Sequence, residues 1–180
     1  IHTAIASNQQ IKFHYFNWDV NKKQVLRKDG AYYQVSPWAL SWDDENYYLV
    51  AYDSEAGKIK HYRVDKIGKL NILDDKREGM DNPGTFDVAA YSNKMFGMYG
   101  GKAESITIGF PQKMIGVFID RFGKEIDIRK REEDYLSVRV SVVPSGQFYG
   151  WIAGLGNEVK IMGPLTVQKE YCNYLEDILN

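Results

Sequence analysis

Cysteine is almost missing from this 180-residue sequence: Cys172 stands alone, so no internal disulfide can form. A fold without such a framework must be held by buried apolar surface, and the composition, 44% hydrophobic, supplies enough for one domain or two small ones. Long apolar runs are missing as well. Nothing approaches the roughly 18 to 20 residues needed to cross a bilayer, and no charged leader precedes an apolar stretch with a small-residue cleavage site. A cytoplasmic protein with no membrane partner is the expectation. Charge of one sign is also lacking, since 23 Lys and Arg face 24 Asp and Glu for a net charge of -1. That balance excludes a general polyanion binder, so any nucleic-acid contact must be local.

Histidine is scarce too. His2, His14 and His61 are scattered, and none pairs with Cys172 or with another histidine at metal-ligand spacing, which removes a zinc site. There is no GxSxG elbow, no GxxxxGK[ST] loop and no GxGxxG behind a strand. Gly97, Gly100 and Gly101 read as turn punctuation. Cys172 stands among apolar neighbours near the end of the chain and is expected to be a packed small hydrophobe rather than a nucleophile. The sequence therefore offers no catalytic residue, no metal and no cofactor.

What is present is a run of short alternating segments. Ile1 and Ile5, four apart, read as the tail of a helix. Ile11, Phe13 and Tyr15 alternate with Lys12 and His14, the period of a half-buried strand. Turn signals at Lys28-Asp29-Gly30, Asp43 to Asn46 and Ser54 to Gly57 separate the strand-like pieces that follow. Several short antiparallel strands with tight turns predict a small barrel or rolled sheet over residues 1–75. Polar, Pro- and Gly-containing sequence from Asp74 to Gly84 reads as linker, and Val88, Tyr91 and Met95 behind Asp87 predict a short helix, so residues 76–103 are expected to connect two domains.

From Glu104 onward strands and helices alternate. Ile106, Ile108 and Phe110 form a strand; Pro111 suits the first turn of a helix carrying Met114, Val117 and Phe118, which Gly123 ends. Strands over 125–131 and 135–143 flank an acidic turn. Ser145 then caps a helix with Phe148, Trp151, Ile152 and Leu155 on one face and Gly156 as its stop. A strand over 159–162 and a helix over 166–179, with Tyr171, Tyr174, Leu175 and Ile178 inward, complete a βαββαβ order plus one helix. The fold class is α+β: a small β-barrel, then a ferredoxin-like domain over 104–180.

Two features point to binding. Lys58, Lys60, Arg63, Lys66 and Lys69 gather around His61 against the single acid Asp65. In a strand His61, Arg63 and Asp65 share one face while Lys60, Tyr62 and Val64 share the other, which places His61 and Arg63 side by side on an accessible surface. The first 70 positions also hold 12 of the 25 aromatic residues. Rings beside cations suit single-stranded nucleic acid or nucleotides, whose bases stack for about 1 to 3 kcal/mol each. Phe13, Tyr15, Trp42 and Tyr52 are assigned to packing, and Trp151 to the second core. The Arg129-Lys130-Arg131 run is assigned to a hairpin salt-bridge patch.

Ser36-Pro37-Trp38-Ala39-Leu40, Tyr47 to Tyr52 and His61 to Ile67 together resemble the core of the WYL domain, a sensor module of bacterial transcription regulators. Phe96-Gly97-Met98, Asp120 to Gly123, Gly150-Trp151-Ile152 and Ile161 to Pro164 resemble its C-terminal extension, WCX; Tyr47 stands where the family often has Trp. The resemblance implies an SH3-like or Sm-like barrel and a pocket formed by Ser36, Tyr48, His61 and Arg63. Trp38, beside Ser36, joins them as a candidate ligand-binding residue. Arg63 would offer a planar five-donor fork for phosphate, His61 a further donor, and Ser36 and Tyr48 hydroxyls. The implied role is effector sensing and dimerisation, with an oligonucleotide or nucleotide as ligand. The homodimer would act on DNA through a helix-turn-helix domain that normally precedes this point and cannot fit in nine residues, so the sequence is expected to be a fragment. A protein–protein interaction module without a nucleotide ligand is the alternative.

Overall fold

The computed structural model describes residues 1–43, 45–79, 87, 91, 95–96 and 101–180. The chain divides into two compact units, Ile1–Val88 and Ala89–Asn180. In the first, a short helix α1 (His2–Ala6) precedes strands β1 (Gln9–Trp18), β2 (Gln24–Leu26), β3 (Tyr33–Asp43), β4 (Asn46–Asp53), β5 (Lys58–Arg63) and β6 (Ile67–Lys76). All pairings are antiparallel, in the order β2-β1-β3-β4-β5 with β6 on β1. The sheet curls into a half-barrel because alternate residues bury one face. Ile11, Phe13, Tyr15, Tyr33, Val35, Leu49, Ala51 and Tyr62 meet there. Phe13 stacks on Tyr33, and Tyr15 and Tyr62 meet both rings edge-on. The Arg63 amide donates to the Tyr15 hydroxyl at 3.1 Å, which ties the end of β5 back to β1.

Two details depart from the sequence reading. Strand β6 extends into the stretch assigned to linker, because Lys76 still pairs with Gln9. Trp42, assigned to packing, is 60% exposed. It faces Tyr47 at the turn end of the β3–β4 hairpin, past Ser41, the last buried residue of β3.

The second unit runs β7 (Glu104–Pro111), α2 (Ile115–Phe122), β8 (Asp127–Glu132), β9 (Tyr135–Val142), α3 (Gly146–Gly154), β10 (Lys160–Gly163) and α4 (Leu165–Leu179). The antiparallel sheet is ordered β10-β7-β9-β8. This is the βαββαβ order of a ferredoxin-like fold, followed by one helix. Phe110 stacks on Phe118 at 3.8 Å, and Trp151 packs against Phe96, Phe118 and Phe122 around them. The Ser145 hydroxyl accepts from the Phe148 amide and opens α3, and Gly123 at φ +88 ends α2.

Pro111 ends β7 opposite Tyr135 instead of starting a helix. It lies past the residues of β7 that pair with β10, where a missing N–H costs no ladder bond. Cys172 and Ile178 are exposed rather than packed, since α4 buries only Val167 fully and half-buries Tyr171 and Tyr174. Arg129 pairs with Asp127 and Arg131 bonds Ser137, so neither guanidinium engages the acidic turn. The short helix expected behind Asp87 falls largely outside the described residues.

Candidate functional site

Strands β4 and β5 present the candidate residues by register. Tyr48 is the Cα partner of Arg63, and Val50 of His61, so Tyr48, His61 and Arg63 share the face of the sheet opposite the aromatic core. Each is half-buried, with Val50 fully buried among them. The other set of β5 turns inward. Tyr62 packs in the core, and the Lys60 ammonium reaches the buried Asp53 carboxylate at 2.6 Å. Asp53 also accepts from the Ala56 amide in the β4–β5 turn and from the Tyr62 hydroxyl. These inward anchors hold β5 in register, because a one-residue slip would exchange its faces and bury His61 and Arg63.

Arg63 is held by Asp65. Nε donates to one carboxylate oxygen at 3.1 Å and Nη2 to the other at 2.9 Å, a bidentate fork that fixes the guanidinium plane. That hydrogen bonding raises the Arg63 pKa and lowers that of Asp65, while the Tyr48 hydroxyl and Tyr15 also lie within electrostatic reach of the guanidinium. The remaining terminal nitrogen has no partner among the described residues.

Ser36 and Trp38 occupy the opposite end of the same face. Ser36 is the partner of Tyr52, which lies four residues along β4 from Tyr48, about 13 Å at the rise of a strand. Pro37 is still the partner of Ala51, and the register shift between Pro37 and Ala39 leaves Trp38 as the extra residue of a bulge. That bulge turns the indole onto Tyr52, where the rings lie 5.8 Å apart at an interplanar angle of 4°. The structure thus brings Tyr48, His61 and Arg63 together, and Ser36, Trp38 and Tyr52 together, as two ends of one surface.

Ser36 is 2% exposed, and its hydroxyl accepts the Glu78 amide at 2.8 Å. Trp38 Nε1 donates to the Glu78 carbonyl at 3.2 Å. Arg77 ties the same segment down, donating to Asn8 Oδ1 and to the Pro37 carbonyl. Arg77, Glu78, Gly79, Tyr52 and the Asp53–Lys60 pair were not singled out as site elements from sequence. Gly79 carried a local signal, a glycine just past a strand, and the Asp53–Lys60 pair spans a single hairpin turn; the contacts of Arg77 and Glu78 join residues 40 or more positions apart.

Among the described residues no group of three or more His, Cys, Asp or Glu could hold a metal ion, and no helix is long and apolar enough to cross a membrane.

Comparison with known proteins matches residues 1–72 to the WYL domain and residues 102–179 to the WCX domain. Among solved structures, a CRISPR Cas-related protein is similar at 15% identity and a TM-score of 0.51, covering 98% of this chain and 48% of its own. Proteasome accessory factor B/C (PafBC) of Arthrobacter aurescens is similar at 16% identity and a TM-score of 0.40, over 97% of this chain and 25% of its own. The chain therefore spans about a quarter and about half the length of these two proteins. No curated protein matches. The WYL and WCX pair is that of a regulatory sensing module, and both families are regulatory rather than catalytic. With its two domain models in sequence and its half-barrel followed by a ferredoxin-like unit, the chain belongs to the WYL-domain proteins that carry a C-terminal WCX domain.

Proposed function

We propose that the outer face of β3–β5 binds a nucleic-acid-like effector, a single-stranded oligonucleotide or a nucleotide, and that the chain is the effector-sensing and dimerising region of a cytoplasmic bacterial transcription regulator. The observation that carries this reading is the register of β4 and β5, which sets Tyr48, His61 and Arg63 side by side away from the core. Arg63 and His61 supply phosphate donors and Tyr48 a hydroxyl, while Trp38 and Tyr52 form a stacked ring pair on the same surface. Effector binding would bias the arrangement of two protomers and so the spacing of the DNA-reading domains that precede a WYL domain in its family.

Anisotropy of a labelled short single-stranded DNA, read at two salt concentrations, tests it. Binding should weaken with salt as counterions are released. Arg63→Ala should weaken it by about 10- to 100-fold, the range of a lost charge-assisted hydrogen bond of about 1.5 to 3 kcal/mol. The variant should keep its melting temperature, because the ion pair it removes is exposed and contributes about 0 to 1 kcal/mol. Absent binding, or equal binding by the variant, overturns the reading.

A second reading rests on Trp18, Val20, Val25 and Leu26, which are exposed on the β1–β2 arm and would suit a protein contact. In that case Leu26→Glu, not Arg63→Ala, changes the mass of the assembly in solution.

A further inference from the structure

Three residues that follow β6 lie across the aromatic end of the proposed site. Glu78 gives its amide N–H to Ser36 and its carbonyl accepts the indole N–H of Trp38, so the backbone of one residue occupies the polar groups of both candidate ligand residues. Next to it, Gly79 at φ +80 lies close against the Tyr52 ring. A Cβ placed there would lie 2.2 Å from the ring's Cγ. Backbone pressed against a ring, with a donor and an acceptor engaged beside it, fills the place in which a base would be held. Arg77 clamps the near end of the segment through Asn8 and Pro37. Beyond Gly79 the chain runs on toward the second unit.

We propose that Glu78–Gly79 is a built-in competitor for the base-stacking half of the site. An oligonucleotide must displace this strap to reach Trp38 and Tyr52, and the released strap carries the signal into the segment that leads to the WCX domain. This rests on the nucleic-acid reading above and adds its regulation. Ser36 is then an anchor for the strap in the free protein and not a ligand contact. The consequence is opposite in sign to that of an ordinary pocket residue. A site that is closed most of the time binds with its intrinsic affinity reduced by the open fraction, so loosening the strap tightens binding.

The experiment uses the whole chain and a fluorescein-labelled oligothymidylate, with wild type, Gly79→Ala, Ser36→Ala and Arg63→Ala compared by anisotropy. Gly79→Ala cannot seat its methyl against Tyr52 and Ser36→Ala loses the Glu78 amide. Each is expected to bind about tenfold more tightly than wild type, as when a site closed about nine-tenths of the time is freed. Amide exchange supplies the second readout. In wild type, saturating oligothymidylate should speed exchange at the Glu78 amide and the Trp38 indole, where a simple contact would slow it. Arg63-dependent binding that is unchanged or weaker in both strap variants, with Glu78 still protected in the complex, overturns the strap alone. No binding by any of the proteins overturns the nucleic-acid reading and the strap with it.

Discussion

Replacing Asp53 with Ala should destabilise the first unit by about 3 kcal/mol, and the figure follows from what the carboxylate holds. Its side chain is 4% exposed and accepts from Lys60 Nζ at 2.6 Å. The Ala56 amide donates at 2.9 Å and the Tyr62 hydroxyl at 3.4 Å. Breaking a fully buried ion pair costs about 3 to 5 kcal/mol because the partner charge is stranded. Lys60 is 31% exposed and can turn to water, which lowers that part to about 2 kcal/mol. Tyr62 cannot turn, being 4% exposed within the aromatic core, and its orphaned hydroxyl adds about 1 kcal/mol.

For a domain of this size 3 kcal/mol is a fall in melting temperature of about 12 to 24 °C, readable by calorimetry and urea unfolding. Acid supplies the sign check. Burial alone would raise the Asp53 carboxyl, but the Lys60 hydrogen bond, the Ala56 amide and the Lys60 charge together hold it below the usual carboxylate value. Its contribution is therefore complete above the unfolded value of about 3.9 and is lost as pH falls through the lower folded one. The gap between wild type and Asp53→Ala should be constant near neutrality and narrow below about pH 4. A loss under about 1 kcal/mol, or a gap that persists in acid, refutes the assignment.

Phe118→Ala removes a fully buried ring stacked on Phe110 and should cost the second unit about 3 to 5 kcal/mol, seen as a lowered second transition in calorimetry with the first unchanged. The cationic and aromatic ends of the face lie about 13 Å apart, so a short oligonucleotide engages both while a mononucleotide engages one. Competition titrations should rank the oligonucleotide far ahead.

Much of the fold was legible because burial is periodic. Ile11, Phe13 and Tyr15 alternate with polar neighbours and are the core of the half-barrel; Phe148 and Ile152, four apart behind Ser145, are buried on a capped helix. The same alternation separated Tyr62 from His61 and Arg63. Local pattern could not show where the core ends. Trp42 and Ile178 fit an apolar face by spacing but lie beyond the neighbours that would cover them, at a hairpin tip and in the last turn of the chain's final helix. Pro111 satisfies a strand end as readily as a first helical turn, and only its long-range pairing with Tyr135 decides between them. The occupation of Ser36 by Glu78 was invisible for a related reason. It joins residues 42 positions apart through a backbone amide, a group every residue but proline carries.

The basic cluster around His61 also means something different once its partners are known. Lys60 is turned under the sheet to neutralise Asp53, and Arg63 shares its charge with Asp65 across a bidentate fork. Two of the five cations counted in sequence are therefore already paired, and the field above the face is weaker than their number implies. What Arg63 offers a phosphate is therefore a short-range, oriented hydrogen bond of about 1.5 to 3 kcal/mol and not a long-range field. Under the proposed function, the remaining affinity must then come from stacking, and the ring surface able to supply it is the Trp38–Tyr52 pair. That surface is the one Glu78 and Gly79 cover. Control of binding would accordingly lie with the residues that follow β6 more than with the cations of β5.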